Sequence, residues 1–193
     1  ASTFGLPIGY LLAINKFRGK EIAITLVNAL LGLPTVVIAL VVYAFLSRQG
    51  LLGSLGLLFT PMGVIIGLVI LATPIVTAFI LSALKEMDPR VRLTAFTLGA
   101  RPFRTAWTVL GEIRYGVMAA ILAAFGRVVA EVGIAMMLGG NIRGHTRTLT
   151  TAIALETSQG EFGFGIALGV ILIVLVIGVN IMFRLLHAKV AKE

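Results

Sequence analysis

Residues Leu84 to Glu112, LKEMDPRVRLTAFTLGARPFRTAWTVLGE, form a polar, basic interval between two long apolar runs. The stretch reads as two short helices around a bend. Asp88 followed by Pro89 starts the first: a carboxylate accepts from free N–H groups, and the proline ring already holds a helical φ. Gly99 ends it, because glycine takes the left-handed conformation at little cost. Pro102 then opens a second helix through Phe103, Trp107 and Val109. Carrying Arg101 and Arg104 with Phe103 between them, such a hairpin fits a docking knob at a membrane surface; an ordinary basic loop fits the same residues.

Outward from this stretch the chain is apolar. Of 193 residues, 59% are hydrophobic and 12% charged, and mean hydropathy is +1.06. Soluble domains average roughly 45–50% apolar and about 25% charged, so the composition specifies an integral membrane protein. The formal charge of +8 is then no evidence for nucleic acid, because basic loops flanking membrane helices produce the same excess. The absence of cysteine excludes disulfides and thiolate chemistry. Ala1–Ile14 contains no basic n-region, so it is not read as a cleavable leader.

The predicted architecture is all-α, with about five transmembrane helices. Ala1 to Ile14 measures roughly 21 Å as a helix, against about 30 Å of bilayer core, and Gly5, Pro7 and Gly9 make it a poor start for an independent helix. It is expected to be the inner half of a helix whose first half lies outside this sequence, with a short re-entrant or interfacial segment as the alternative. Ile22–Leu46 is expected to span with a kink at Pro34. Met62–Leu84 spans with Pro74 inside, Tyr115–Leu138 spans up to Gly139–Gly140, and Phe162–Phe183 is the last span. The pairs Gly63 with Gly67 and Gly165 with Gly169 have the spacing that lets helices approach closely. Residues 1–193 read as one domain, with a central loop at about 85–112 and a Thr-rich polar loop at about 139–161.

Charge sets the orientation. One side holds Lys16, Arg18, Lys20, Lys85, Arg90, Arg92, Arg101, Arg104, Arg114 and a tail with Arg184, His187, Lys189 and Lys192; the other holds Arg48, Arg143 and Arg147. By the positive-inside rule the first side, with the central hairpin, is cytoplasmic.

Little in the chain suits catalysis. No G-x-x-x-x-G-K-[ST] run exists, so ATP is not bound through a P-loop, and His145 and His187 have no metal-ligand spacing. Arg127 and Glu131 lie four apart inside the fourth span. Ionisable groups cost at least a few kcal/mol each at membrane depth and usually face a partner or a water-filled path; on one helix face they could neutralise each other. A structural ion pair and a pathway or gate element both fit. The loop GGNIRGHTRTLTT, Gly139–Thr151, offers Asn141, Arg143, Thr146, Arg147 and Thr148 with no acid before Glu156. That set suits an oxyanion, supplying charge-assisted donors without a competing carboxylate; a solvated loop is the other reading.

Together these features resemble the permease subunits of binding-protein-dependent ABC importers. Their cytoplasmic loop carries Glu-Ala-Ala, three residues, Gly, nine residues, Ile, one residue, Leu-Pro. Aligned on Gly99, this chain has Leu93-Thr94-Ala95, Val109 and Gly111-Glu112 at those places, so Ala95 and Gly99 match outright. Arg127-Val-Val-Ala-Glu131-Val-Gly133 followed by Gly140-Asn141-Ile142-Arg143-Gly144-His145-Thr146-Arg147-Thr148-Leu149 resembles the molybdate, tungstate and sulfate branch. Arg143 and Thr150-Thr151-Ala152-Ile153-Ala154-Leu155-Glu156 look most like its tungstate-type members.

The resemblance covers the whole chain and implies a type I importer permease in a prokaryotic cytoplasmic membrane. It implies a homodimer around a translocation path for an oxyanion, a binding protein on the outer face, and two copies of a separate ATPase subunit. ATP and Mg²⁺ bind that subunit and no cofactor binds this chain. Ala95, Leu98, Gly99, Ala100, Arg101, Pro102, Phe103 and Arg104 would form the coupling contact. Arg127, Glu131, Asn141, Arg143, Thr146, Arg147 and Thr148 would lie on the pathway or its gate. An ATP-independent channel or a membrane-embedded enzyme is the competing class.

Overall fold

The computed structural model describes the backbone of residues 1–190 and the side chains of residues 1–185; the tail cations His187, Lys189 and Lys192 fall outside the described side chains. Ten helices follow in order among the described residues: α1 Ser2–Ile14, α2 Lys20–Leu31, α3 Thr35–Leu46, α4 Pro61–Glu86, α5 Pro89–Thr97, α6 Pro102–Glu112, α7 Arg114–Val129, α8 Gly133–Gly139, α9 Leu149–Ser158 and α10 Phe162–Val190. No strand is present among them. The helices α4 and α10 are each long and apolar enough to cross a membrane unaided, and up to four spans result when two bent pairs are counted whole.

The helices fall into two compact units, Ala1–Leu33 with Val69–Phe125, and Pro34–Leu68 with Gly126–Glu193. In the first, α1 packs on α4 through Gly5 and Gly9, which the sequence reading took only as a poor helix start. A Cβ at Gly5 would lie 2.6 Å from Val76 Cβ, and one at Gly9 would lie 2.9 Å from both Ile80 Cβ and the Thr77 carbonyl. Four residues apart on one face, the two glycines let the backbones approach. The Thr77 hydroxyl, fully buried, sits 3.4 Å from the Gly5 carbonyl and 2.9 Å from that of Thr73. Lys20 Nζ donates to the carbonyls of Ala13 and Asn15 at 2.9 and 3.2 Å, satisfying acceptors left over at the end of α1.

In the second unit α8 is the buried element: Ile134, Ala135 and Leu138 are closed off from solvent. It packs on α3 and against Gly67, where a Cβ would lie 2.5 Å from Leu138 Cδ1 and 2.6 Å from Ile134 Cγ2. The Phe59 N–H donates to the Leu138 carbonyl at 2.8 Å. The long helix α10 packs chiefly on α9, and between Phe162 and Leu185 only Gly165 is buried. Its apolar sides are left for lipid or another helix. The pair Gly165 and Gly169 is thus only half used: Gly165 faces Thr157, and nothing lies within 4 Å of a Cβ at Gly169.

Three expectations change. The span Ile22–Leu46 is two helices rather than one kinked helix. Pro34 has no N–H and disfavours a helical Leu33, so α2 ends with the Gly32 N–H on the Ala29 carbonyl and Pro34 becomes the N-cap of α3. The span Tyr115–Leu138 is interrupted between α7 and α8. The polar loop at 139–161 contains a helix, α9, started by Thr148.

The glycine contacts give a direct test. Gly5→Ala and Gly9→Ala should each lower the thermal midpoint of the detergent-solubilised protein, since overpacking costs about 1–3 kcal/mol. Gly169→Ala, which meets open space, should leave that midpoint unchanged within this chain.

Candidate functional site

The first candidate surface is the α5–α6 hairpin, and each of its local signals is realised. Asp88 caps α5, its carboxylate accepting from the Arg90 N–H at 2.8 Å, with Pro89 in the first turn. At the far end the Gly99 N–H donates to Phe96 and the Ala100 N–H to Ala95, both at 3.0 Å, with Gly99 at φ 77°. This doubly bonded end is a Schellman motif and requires a left-handed residue. Pro102 then opens α6. Helix α5 packs on α6, Ala95, Thr105 and Val109 are buried, and α6 meets α7 at 75°.

The outer face of this hairpin is the unusual part. Leu98 is 81% exposed and Phe103 75%, with Trp107 edge-on to Phe103 at 6.3 Å between ring centroids. Arg101 and Arg104 are exposed beside them. Polar backbone is satisfied internally, while large apolar and cationic side chains project outward. This combination marks an interaction surface.

The second candidate is the break between α7 and α8. Sequence spacing placed Arg127 and Glu131 on one continuous helix; the helix instead stops at Val129, and Glu131 lies in the break. Its carboxylate is 2% exposed and is held twice. Arg127 Nη1 donates to Oε2 at 3.0 Å, and the Ile134 N–H, in the first turn of α8, donates to Oε1 at 3.1 Å. Arg127 itself is 42% exposed, so the pair has one end in the interior and one at the surface. The Glu131 carbonyl accepts from the Thr150 hydroxyl at 2.9 Å, which ties the break to α9.

The remaining candidates divide. Thr148 and Thr151 form a reciprocal capping box at the start of α9. Thr146 is buried, its hydroxyl donating to the Gly139 carbonyl and accepting from the Ile142 N–H. These hydroxyls hold backbone. Asn141, at φ 49°, reaches the Thr151 carbonyl with Nδ2 at 3.5 Å, and Arg147 Nη2 reaches the Asn141 carbonyl at 3.4 Å. Asn141 Oδ1 and Arg147 Nε are shielded from solvent and unpartnered among the described residues. Arg143 is exposed. The first turn of α9 therefore touches both Glu131 and Asn141. Thr150 and Thr151, which make these links, are not among the site residues expected from sequence; the signal was the Thr-x-x-Thr spacing of a helix start.

Residues 5–192 match the family of binding-protein-dependent transport system inner membrane components. The chain belongs to this permease family. Its relatives include the "Probable anion ABC transporter permease protein" of Haloferax volcanii, 42% identical over 93% of this chain and 80% of the relative. The tungstate uptake system permease protein TupB of Campylobacter jejuni is 41% identical over 86% of this chain and 69% of its own length. The protein of the same name from Peptoclostridium acidaminophilum is 33% identical over 93% and 79%. The permease is a transport subunit and not an enzyme, and the uptake systems of its relatives imply an ATPase and a binding protein beside it.

The charge pair predicts a specific pattern of stabilities. Arg127→Ala should cost about 3 kcal/mol, because it strands a buried carboxylate; adding Glu131→Gln should recover part of that loss in chemical denaturation of the solubilised permease. Thr148→Ala should cost about 1 kcal/mol through loss of the α9 cap, read in the same assay.

Proposed function

We propose that this permease is the membrane subunit of an ATP-driven importer for a tetrahedral oxyanion, with tungstate as its cargo. Residues 1–193 act as one permease domain in a prokaryotic cytoplasmic membrane, with the α5–α6 hairpin on the cytoplasmic side. Two copies pair around the path, each docking its hairpin on one ATPase subunit that binds ATP and Mg²⁺, while this chain carries no cofactor. An extracytoplasmic binding protein delivers the anion.

The observation that carries the reading is the hairpin. Leu98, Phe103 and Trp107 project from a turn closed by the bonds of Gly99 to Phe96 and of Ala100 to Ala95, so the knob can transmit displacement without collapsing. Ala95, Gly99, Ala100 and Pro102 set its shape, and Arg101 and Arg104 supply charge for the ATPase surface. The cargo is supported by the two tungstate uptake permeases among the relatives and by Arg143 and Arg147 in a loop whose own sequence has no acid before Glu156. Arg127 and Glu131, at a helix break, are assigned to the path or its gate, with Asn141, Thr146 and Thr148 shaping the loop beside it.

The test is ATP hydrolysis in proteoliposomes containing the permease, its ATPase and its binding protein. Tungstate should stimulate hydrolysis at lower concentration than molybdate or sulfate. Preference for either of those would overturn the cargo, and no response to any of the three in a demonstrably assembled complex would overturn the oxyanion reading. Gly99→Pro should abolish the coupling of stimulation to transport, because proline cannot adopt φ 77°; wild-type stimulation and uptake in that variant would overturn the role of the hairpin.

A further inference from the structure

The face of α5 turned away from α6 closes a second concavity. It has a volume of about 510 Å³ and is lined by the last residues of α1, Ala13 and Ile14, the end of α4 at Leu84 and Lys85, and Arg92, Leu93 and Phe96 of α5. That volume lies within the roughly 300–1,000 Å³ of small-ligand sites. All of these residues belong to one compact unit.

Its chemistry is two-sided. Ile14, Leu84, Leu93 and Phe96 make an apolar lining, and Leu93 and Phe96 remain exposed. Lys85 and Arg92 add two cations. Arg92 lies over the Phe96 ring at 5.5 Å, and its Nε is shielded from solvent with no hydrogen-bond partner among the described residues. A third cation, Lys20, is bonded to the carbonyl of the lining residue Ala13. The neighbouring acids do not line the space: Asp88 accepts from the Arg90 N–H at 2.8 Å and Glu86 accepts from the Ser82 hydroxyl at 3.5 Å.

We infer that this concavity binds the headgroup of an anionic phospholipid of the cytoplasmic leaflet. Lys85 and Arg92 pair with the phosphate, and an acyl chain lies along Ile14, Leu84 and Leu93. The inference rests on the orientation adopted above, in which α1 and α4 end at the cytoplasmic surface. Basic recesses at that depth attract anionic headgroups, and an unpaired buried donor gains from a charged acceptor. A soluble oxyanion would satisfy the cations and leave the apolar lining without a partner, which favours lipid.

The test is lipid retention by the transporter assembled with its ATPase, delipidated in detergent and titrated with phosphatidylglycerol or phosphatidylcholine under native mass spectrometry. Wild type should hold phosphatidylglycerol in preference, and Lys85→Gln with Arg92→Gln should lose at least half of those adducts. Lys85→Arg with Arg92→Lys should retain them. Leu93→Glu, at a position 62% exposed, should expel the anionic lipid by repulsion. Equal retention of both lipids by wild type, or wild-type retention in the Gln and Glu variants, would overturn the site. Displacement of the lipid by inorganic phosphate or tungstate at equal concentration would overturn it in favour of a soluble oxyanion. Because adducts are read without ATP hydrolysis or transport, a negative result here leaves the transport assay standing, and the reverse also holds.

Discussion

A carboxylate removed from water has to be matched by charge and by hydrogen bonds, and at Glu131 the match is what allows a membrane helix to stop and restart. Within a bilayer a broken helix exposes N–H and C=O groups that no solvent can satisfy, at several kcal/mol each. Here Glu131 meets the Ile134 N–H at the start of α8 and the Arg127 guanidinium at the end of α7. Its carbonyl takes the Thr150 hydroxyl. The burial of α8 follows from this arrangement: Ile134 and Leu138 can fill the interior of their unit because the turn before them is already satisfied. A discontinuous helix with a charge pair at its break is also a natural place for a transporter to respond to an anion.

The α5–α6 hairpin solves the opposite problem. It exposes apolar side chains while the ends of its helices stay capped. Asp88 satisfies the start of α5, the bonds from Gly99 and Ala100 satisfy its end, and Pro102 has no N–H to leave unpaired at the start of α6. Thr105 and Val109 are closed off from solvent on α6. What is left over, Leu98, Phe103 and Trp107 with flanking arginines, is available for docking. The fold thus concentrates rigidity in the backbone and exposure in the side chains.

The hairpin was legible because its signals act within one or two turns. A carboxylate two residues before a free N–H, a glycine at a left-handed turn and a proline at a helix start work in any surroundings. The site around Glu131 was only half legible. The spacing of Arg127 and Glu131 announced an ion pair, and the pair forms, but Ala130-Glu131-Val132 contains no helix breaker. The break depends on Thr150, nineteen residues on, and on a first turn of α9 concealed in a Thr-rich run that reads as loop. Gly5 and Gly9 were misread for a related reason: glycine weakens an isolated helix, and only the presence of Val76 and Ile80 on α4 turns that weakness into close packing.

By itself the sequence determined that the chain lives in a membrane, which loops carry the positive charge, where the long helices α4 and α10 run, and how the α5–α6 hairpin begins, turns and restarts. These follow from hydrophobicity summed over long windows and from hydrogen bonds between near neighbours. Only the tertiary structure decided that two expected spans are interrupted, that α9 is a helix, and that Arg92 and Lys85 share a recess with the end of α1. Each of these depends on whether a distant residue supplies the missing hydrogen bond, the missing volume or the neighbouring charge, and periodicity along the chain carries no record of which distant residue that will be.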